Sequence, residues 1–83
     1  RVSAEEATRR NAGAEQFVAR VQEHAAKPEF EELRVRTESG LRILDRDYKS
    51  RYTRVSVRGP ERLCLKFFKQ VDAILRDVKQ QSV

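Results

Sequence analysis

Arginines lie two residues apart in one short stretch of the chain and four residues apart in another, spacings that can place guanidinium groups on one side of a strand. The two runs are Leu33-Arg34-Val35-Arg36-Thr37 and Arg54-Val55-Ser56-Val57-Arg58. If the apolar residues of a strand face a core, its geometry sends the alternate residues to the opposite side. A guanidinium binds phosphate through two parallel hydrogen bonds and also stacks on a nucleobase. The pattern therefore predicts one anion-binding sheet face with five arginines. They are Arg34, Arg36, Arg42, Arg54 and Arg58.

Positive charge is concentrated in the middle of the chain. Residues 34–58 hold eight lysines and arginines against three carboxylates, a local net charge of +5 that equals the net charge of all 83 residues. A polyanionic partner is expected from this balance. Arg46, Lys49 and Arg51 lie in a predicted loop and extend the footprint. For the neighbouring Tyr48 and Tyr52, partial burial or anchoring of the loop is favoured over base stacking.

An arginine-rich strand face has a second interpretation. Exposed strands often carry arginine and lysine simply because they face water and because charge discourages pairing at a sheet edge. Composition alone does not separate this solvating role from a binding role.

Residues that commonly perform catalysis are too isolated to form a site. His24 is the single histidine and has no second ligand at metal-binding spacing. Asp45 and Asp47 alternate with basic residues, which favours salt bridges over acid–base chemistry. Cys64 is the single cysteine, which excludes an internal disulfide, and it falls on an apolar helix stripe. We therefore expect no enzyme, no metal, no cofactor and no small-molecule substrate.

Two amphipathic helices are predicted on either side of the basic segment. Ser3-Ala4-Glu5-Glu6 fits a capping box that begins a helix, and Asn11-Ala12-Gly13 indicates an interruption. After this interruption, apolar residues at helical spacing predict a helix that ends before Pro28. They are Ala14, Phe17, Val18, Val21 and Ala25. Gly59-Pro60-Glu61 predicts the start of the last helix, which carries a long apolar stripe. Its members are Cys64, Phe67, Phe68, Val71, Ile74, Leu75 and Val78.

The segment between the helices is predicted to form three strands. The first covers residues 33–37, a tight turn follows at Glu38-Ser39-Gly40, and the second begins at Leu41. Leu44 breaks the alternation, as at a bulge or a strand end. Residues 45–51 are predicted as a charged loop, and residues 52–58 as the third strand.

This order of elements predicts an α+β fold. The expected architecture is a two-layer α-β-β-β-α sandwich, with a three-stranded antiparallel sheet and both helices on one face. Residues 14–83 are predicted to form a single α+β domain, and residues 1–13 an N-terminal extension or a first helical segment.

The predicted element order is similar to that of the double-stranded-RNA-binding domain and of the Alu-RNA-binding subunits of the signal recognition particle. For the particle subunits, the similarity extends to Pro28, Gly40 and Lys66-Phe67-Phe68. The double-stranded-RNA-binding domain has a lysine pair where this chain has Gly59-Pro60-Glu61-Arg62-Leu63. Element order does not transfer function, and neither family is assigned.

The leading hypothesis is a basic nucleic-acid-binding module, with RNA favoured. The alternative is a protein interaction or dimerisation domain that uses the open sheet face or an edge strand. Its partner would be an acidic protein or a second copy, in a homodimer or a heterodimer. A module for anionic membranes is a third reading. No apolar run is long enough for a transmembrane segment, and the cysteine usage favours an intracellular location, in the cytoplasm or nucleus.

Overall fold

Two helices flank a β-hairpin in this protein. The computed structural model describes the backbone of residues 4–46 and 48–81 and the side chains of residues 12–42, 46 and 51–81. The elements are helix α1 (Ala4–Ala25), strand β1 (Arg34–Asp45), strand β2 (Tyr48–Arg58) and helix α2 (Glu61–Gln81), and a 3-10 turn at Pro28–Phe30 leads from α1 towards β1.

The sheet has two antiparallel strands, so the predicted three-stranded α-β-β-β-α sandwich is wrong. β1 runs without a break through Glu38, Ser39 and Gly40, where a turn was predicted. Gly40 does not adopt the positive φ that a tight turn uses, and it pairs with Tyr52 instead. Because the sheet has two strands and not three, the order of elements no longer matches that of the double-stranded-RNA-binding domain or of the Alu-RNA-binding subunits.

The hairpin reverses direction after Asp45, which lies opposite Tyr48 in the register. Residues 48–51 of the predicted loop therefore belong to β2. The break in alternation predicted at Leu44 is confirmed, because the register shifts between Ile43 and Asp45.

Helix α1 is continuous, and the predicted interruption at Asn11-Ala12-Gly13 does not occur. A glycine within a helix costs about 1 kcal/mol relative to alanine. Burial of Phe17 and Val21 on the following turns offsets that cost. The predicted cap, Ser3, lies outside the described residues.

The core lies between the two helices and one face of the hairpin. Among the described side chains, its buried members are Phe17, Val21, Phe30, Leu33, Phe67, Val71, Ile74 and Val78. The rings of Phe30 and Phe67 meet edge to face, with centroids 5.1 Å apart and planes at 84°. Val35, Val55 and Val57 pack against this cluster, as the alternation in the sequence predicts.

The helices do not cover the whole length of the hairpin. Leu41 shares strand parity with Val35 and was expected in the core, yet it is 59% exposed. Phe68 and Leu75 on the predicted stripe of α2 are 40% and 38% exposed, because they lie at its flank. The buried centre of that stripe is Phe67, Val71, Ile74 and Val78, at steps of four, three and four residues.

Gly59 makes the connection from β2 to α2 tight. Its φ is 149°, and a Cβ on it would lie 2.6 Å from a methyl carbon of the buried Leu33. The amide of Cys64 then donates to the carbonyl oxygen of Pro60 at 3.0 Å, which forms the first turn of α2. The predicted helix start at Gly59-Pro60-Glu61 is confirmed.

An ion pair joins the 3-10 turn to α2. Lys66 Nζ lies 3.1 Å from Glu29 Oε2 and 6.0 Å from the centroid of the Phe30 ring. The hydrogen bond from Lys66 lowers the pKa of Glu29 below its ordinary value of 4.5. Because the pKa is depressed in the folded state, the stabilisation is present above 4.5 and is lost as the pH falls through the folded value.

Replacing Lys66 with glutamine is expected to raise the pKa of Glu29 towards its ordinary value and to make folding less sensitive to acid. The pKa can be followed by the carboxyl chemical shift of Glu29, and the stability by urea midpoints at about pH 7 and about pH 3. K69Q, also on α2, is the matched control and should leave the Glu29 titration unchanged. An equal shift in both variants would contradict this assignment.

Candidate nucleic-acid interface

The hairpin sorts its side chains onto two faces. Residues directly opposite in an antiparallel pair share a face. Val35 lies opposite Val57 on the face that packs against the helices. The alternate residues lie on the other face, which we call the arginine face. Its described members are Arg34, Arg36, Glu38, Gly40, Arg42, Tyr52, Arg54, Ser56 and Arg58. The register thus brings the five arginines of the alternating pattern together.

The arginine face is exposed and strongly positive. The side chains of Arg36 and Arg54 are 81% and 65% exposed, and the other three arginines are exposed as well. Glu38 is the one carboxylate among the members of this face. It lies 4.0 Å from Arg36 and 3.7 Å from Arg54. Exposed pairs at these distances contribute little to stability and leave the arginines accessible.

Two arginines face each other at the end of the hairpin nearest the core. Arg34 lies directly opposite Arg58. Like charges in this arrangement are destabilising. Within the described part of the chain, neither arginine forms an ion pair with a carboxylate. A bound anion between the two guanidinium groups would remove the repulsion.

Tyr52 lies in the middle of the arginine face. Its predicted place in a strand is confirmed, although that strand begins earlier than predicted, at Tyr48. It pairs with Gly40, and its ring lies over that glycine. A Cβ on Gly40 would come within 2.7 Å of the Tyr52 hydroxyl oxygen and 2.9 Å of two ring carbons. The guanidinium carbon of Arg54 is 5.7 Å from the ring centroid, and Tyr52 is 41% exposed.

Sequence reasoning missed this arrangement because it assigned Gly40 to a turn. Gly40 lies within a run of alternating residues. A glycine in such a run can indicate a place where another group packs closely on a strand, as well as a turn.

Of the three predicted loop residues, Arg51 does not lie on the arginine face. Arg51 lies opposite Leu41, with the parity of the helix-facing side, and lines a depression next to α1. Arg46 is exposed in the turn. Lys49 pairs with Ile43 through its backbone, and its side chain lies outside the described residues. The side chains of Asp45, Asp47 and Tyr48 also lie outside them.

Reactive groups elsewhere make local contacts. His24 Nδ1 lies 3.2 Å from the carbonyl oxygen of Arg20, one turn earlier in α1. Cys64 Sγ donates to the carbonyl oxygen of Gly59 at 3.6 Å. In the part of the chain that the structure describes, no group of three histidine, cysteine, aspartate or glutamate residues could hold a metal ion. Neither described helix is long and apolar enough to cross a membrane.

An open groove of about 700 Å³ lies on the other side of the molecule, between α1, β2 and α2. Its apolar lining includes Phe17, Val55, Phe68, Val71 and Leu75. The groove leaves part of the apolar stripe of α2 in contact with solvent.

Comparisons with known proteins do not assign a family to this chain. No protein-family model, no curated protein and no solved structure matches it. The arginine face is therefore the feature from which a function can be argued.

Proposed function

We propose that this protein is a nucleic-acid-binding module, with RNA favoured, that binds through the arginine face. The observation that supports the proposal is the charge of that face: among the described side chains, five exposed arginines and one carboxylate lie on the side of the hairpin away from the core. Phosphate contacts from arginine supply most of the affinity in such complexes and fix the position of the strand. RNA is favoured because a sheet face with an aromatic residue suits the unstacked bases of RNA loops.

The length of the face matches a short oligonucleotide. Arg34 and Arg42 are eight residues apart on β1, which corresponds to about 26 Å in an extended strand. At the rise of about 3.4 Å per phosphate of a stacked helical strand, roughly eight nucleotides cover this distance, and a more extended strand covers it with fewer. A probe of about twelve nucleotides therefore spans the face with some excess at both ends.

Affinity measured across a salt series tests this proposal. If all five arginines contact phosphates, log K against log salt concentration should fall with a slope of about −3.5, which weakens binding by about 100-fold between 50 and 200 mM salt. The measurement is the fluorescence anisotropy of a labelled single-stranded RNA of about twelve nucleotides. Absence of binding at low salt, or a flat salt response, would overturn the proposal.

The second candidate function is binding of an acidic protein segment along the free edge of β2. The apolar groove between α1, β2 and α2 and the exposed Phe68 and Leu75 favour it. A second copy of the chain fits less well, because pairing β2 with itself would bring Arg54 and Arg58 of both copies close together. Poly-glutamate of the same length as the RNA, used as a competitor, separates the two candidates. Equal competition would favour the acidic protein.

A further inference from the structure

Tyr52 is placed differently from the aromatic residues of the core. Phe30 and Phe67 are completely buried, whereas Tyr52 lies over Gly40 on the arginine face with 41% of its surface exposed. The glycine lets the ring approach the strand closely, because a Cβ there would meet the ring tip. The ring of Tyr52 thus packs on Gly40 of the neighbouring strand. The rest of the ring is exposed to solvent or contacts the guanidinium of Arg54.

An exposed aromatic ring beside an arginine has a specific use in nucleic-acid binding. Bases stack on aromatic rings and on guanidinium planes, and the stacking tolerates any base sequence. Tyr52 lies between Arg42 and Arg54 in the order of the paired strands, so phosphates on either side of a stacked base would meet arginines. In a duplex, the bases are already stacked on one another, and a ring on a sheet face reaches only the sugar–phosphate backbone.

We propose that Tyr52 is a stacking site for an unpaired base and that the ligand of the arginine face is single-stranded nucleic acid. This inference rests on the proposed function and narrows its ligand class. In the free protein the guanidinium of Arg54 lies over the ring, 5.7 Å from its centroid, so a stacked base replaces this cation–π contact. The remaining arginines hold the backbone of the strand.

The test compares three labelled probes of about twelve nucleotides at one salt concentration: a single-stranded RNA, the same strand annealed to its complement, and an abasic strand of equal length. The single strand is expected to bind about tenfold more tightly than the duplex or the abasic strand. In Y52L, affinity for the single strand should fall about tenfold, to the level of the abasic strand, because leucine has no π face. Y52F keeps the ring and should behave like the native protein.

The salt series separates this inference from the proposal on which it rests. Y52L should leave the slope against salt unchanged, because it removes no phosphate contact. If the duplex or the abasic strand binds as tightly as the single strand, or if Y52L binds normally, the stacking site is overturned while the arginine face still stands. If the native protein binds none of the three probes, both are overturned. Circular dichroism of Y52L and Y52F verifies that each variant is folded.

Discussion

Replacing Phe67 with alanine is expected to destabilise the protein by about 3–5 kcal/mol. The ring is fully buried between α2 and the rest of the core and meets Phe30 edge to face at 5.1 Å. Its removal takes away apolar burial and an aromatic pair and leaves a cavity. Domains of this size are stable by only about 5–15 kcal/mol, so the variant should lose a large part of its folded population on mild heating.

The matched control for Phe67 is L65A on the same helix. Leu65 is 59% exposed, so its truncation should change stability by no more than about 0.5 kcal/mol. Urea unfolding followed by circular dichroism measures both variants against the native protein. Equal losses in the two variants would mean that the core is not where the structure places it.

The second large effect is expected from removing three arginines of the arginine face together. The variant R34Q/R36Q/R58Q eliminates up to three phosphate contacts. At about 0.1 M salt, this should weaken RNA binding by about 100-fold and make the salt slope shallower by about 2. The expected reason is the loss of counterion release at those positions, which acts equally on every RNA sequence.

A control with the same change in net charge distinguishes a defined face from general attraction. Arg62, Lys69 and Arg76 are exposed on α2, away from the arginine face. R62Q/K69Q/R76Q should therefore change affinity by less than about threefold. Similar losses in both triple variants would show that only net charge matters and would contradict a binding surface on the hairpin.

The same arginine variant should not lose stability. Arg34 and Arg58 repel each other across the strands, so replacing both is expected to leave the unfolding midpoint unchanged or to raise it slightly. A fall in binding together with an unchanged or higher midpoint is the pattern expected of residues retained for binding.

The sequence predicted those features that depend on local periodicity. The spacing of Phe67, Val71, Ile74 and Val78 indicated the buried side of α2, since a helical stripe depends only on neighbours three and four residues apart. The alternation around Val35 and Val57 likewise indicated which side of each strand faces the helices. The common face of the arginines follows from the same alternation and does not depend on the number of strands.

The features that were predicted wrongly depend on distant partners. Gly40 suits a turn as well as a strand, and the deciding contact is with Tyr52, twelve residues later. With the turn placed at Gly40, the pairing of Tyr52 with that glycine could not be predicted. The exposure of Leu41 depends on how far the helices extend over the hairpin, which strand parity alone does not specify.

The part of the hairpin beyond the helices has a geometrical consequence. The exposure of Leu41 shows that the helices do not cover the hairpin to its tip, and a two-stranded ribbon twists more strongly than a wide sheet does. The direction in which Arg42 projects is therefore rotated relative to that of Arg34. A nucleic acid that contacts all of these guanidinium groups must wind around the axis of the ribbon. A flexible single strand can do so at little energetic cost, whereas a stiff duplex cannot.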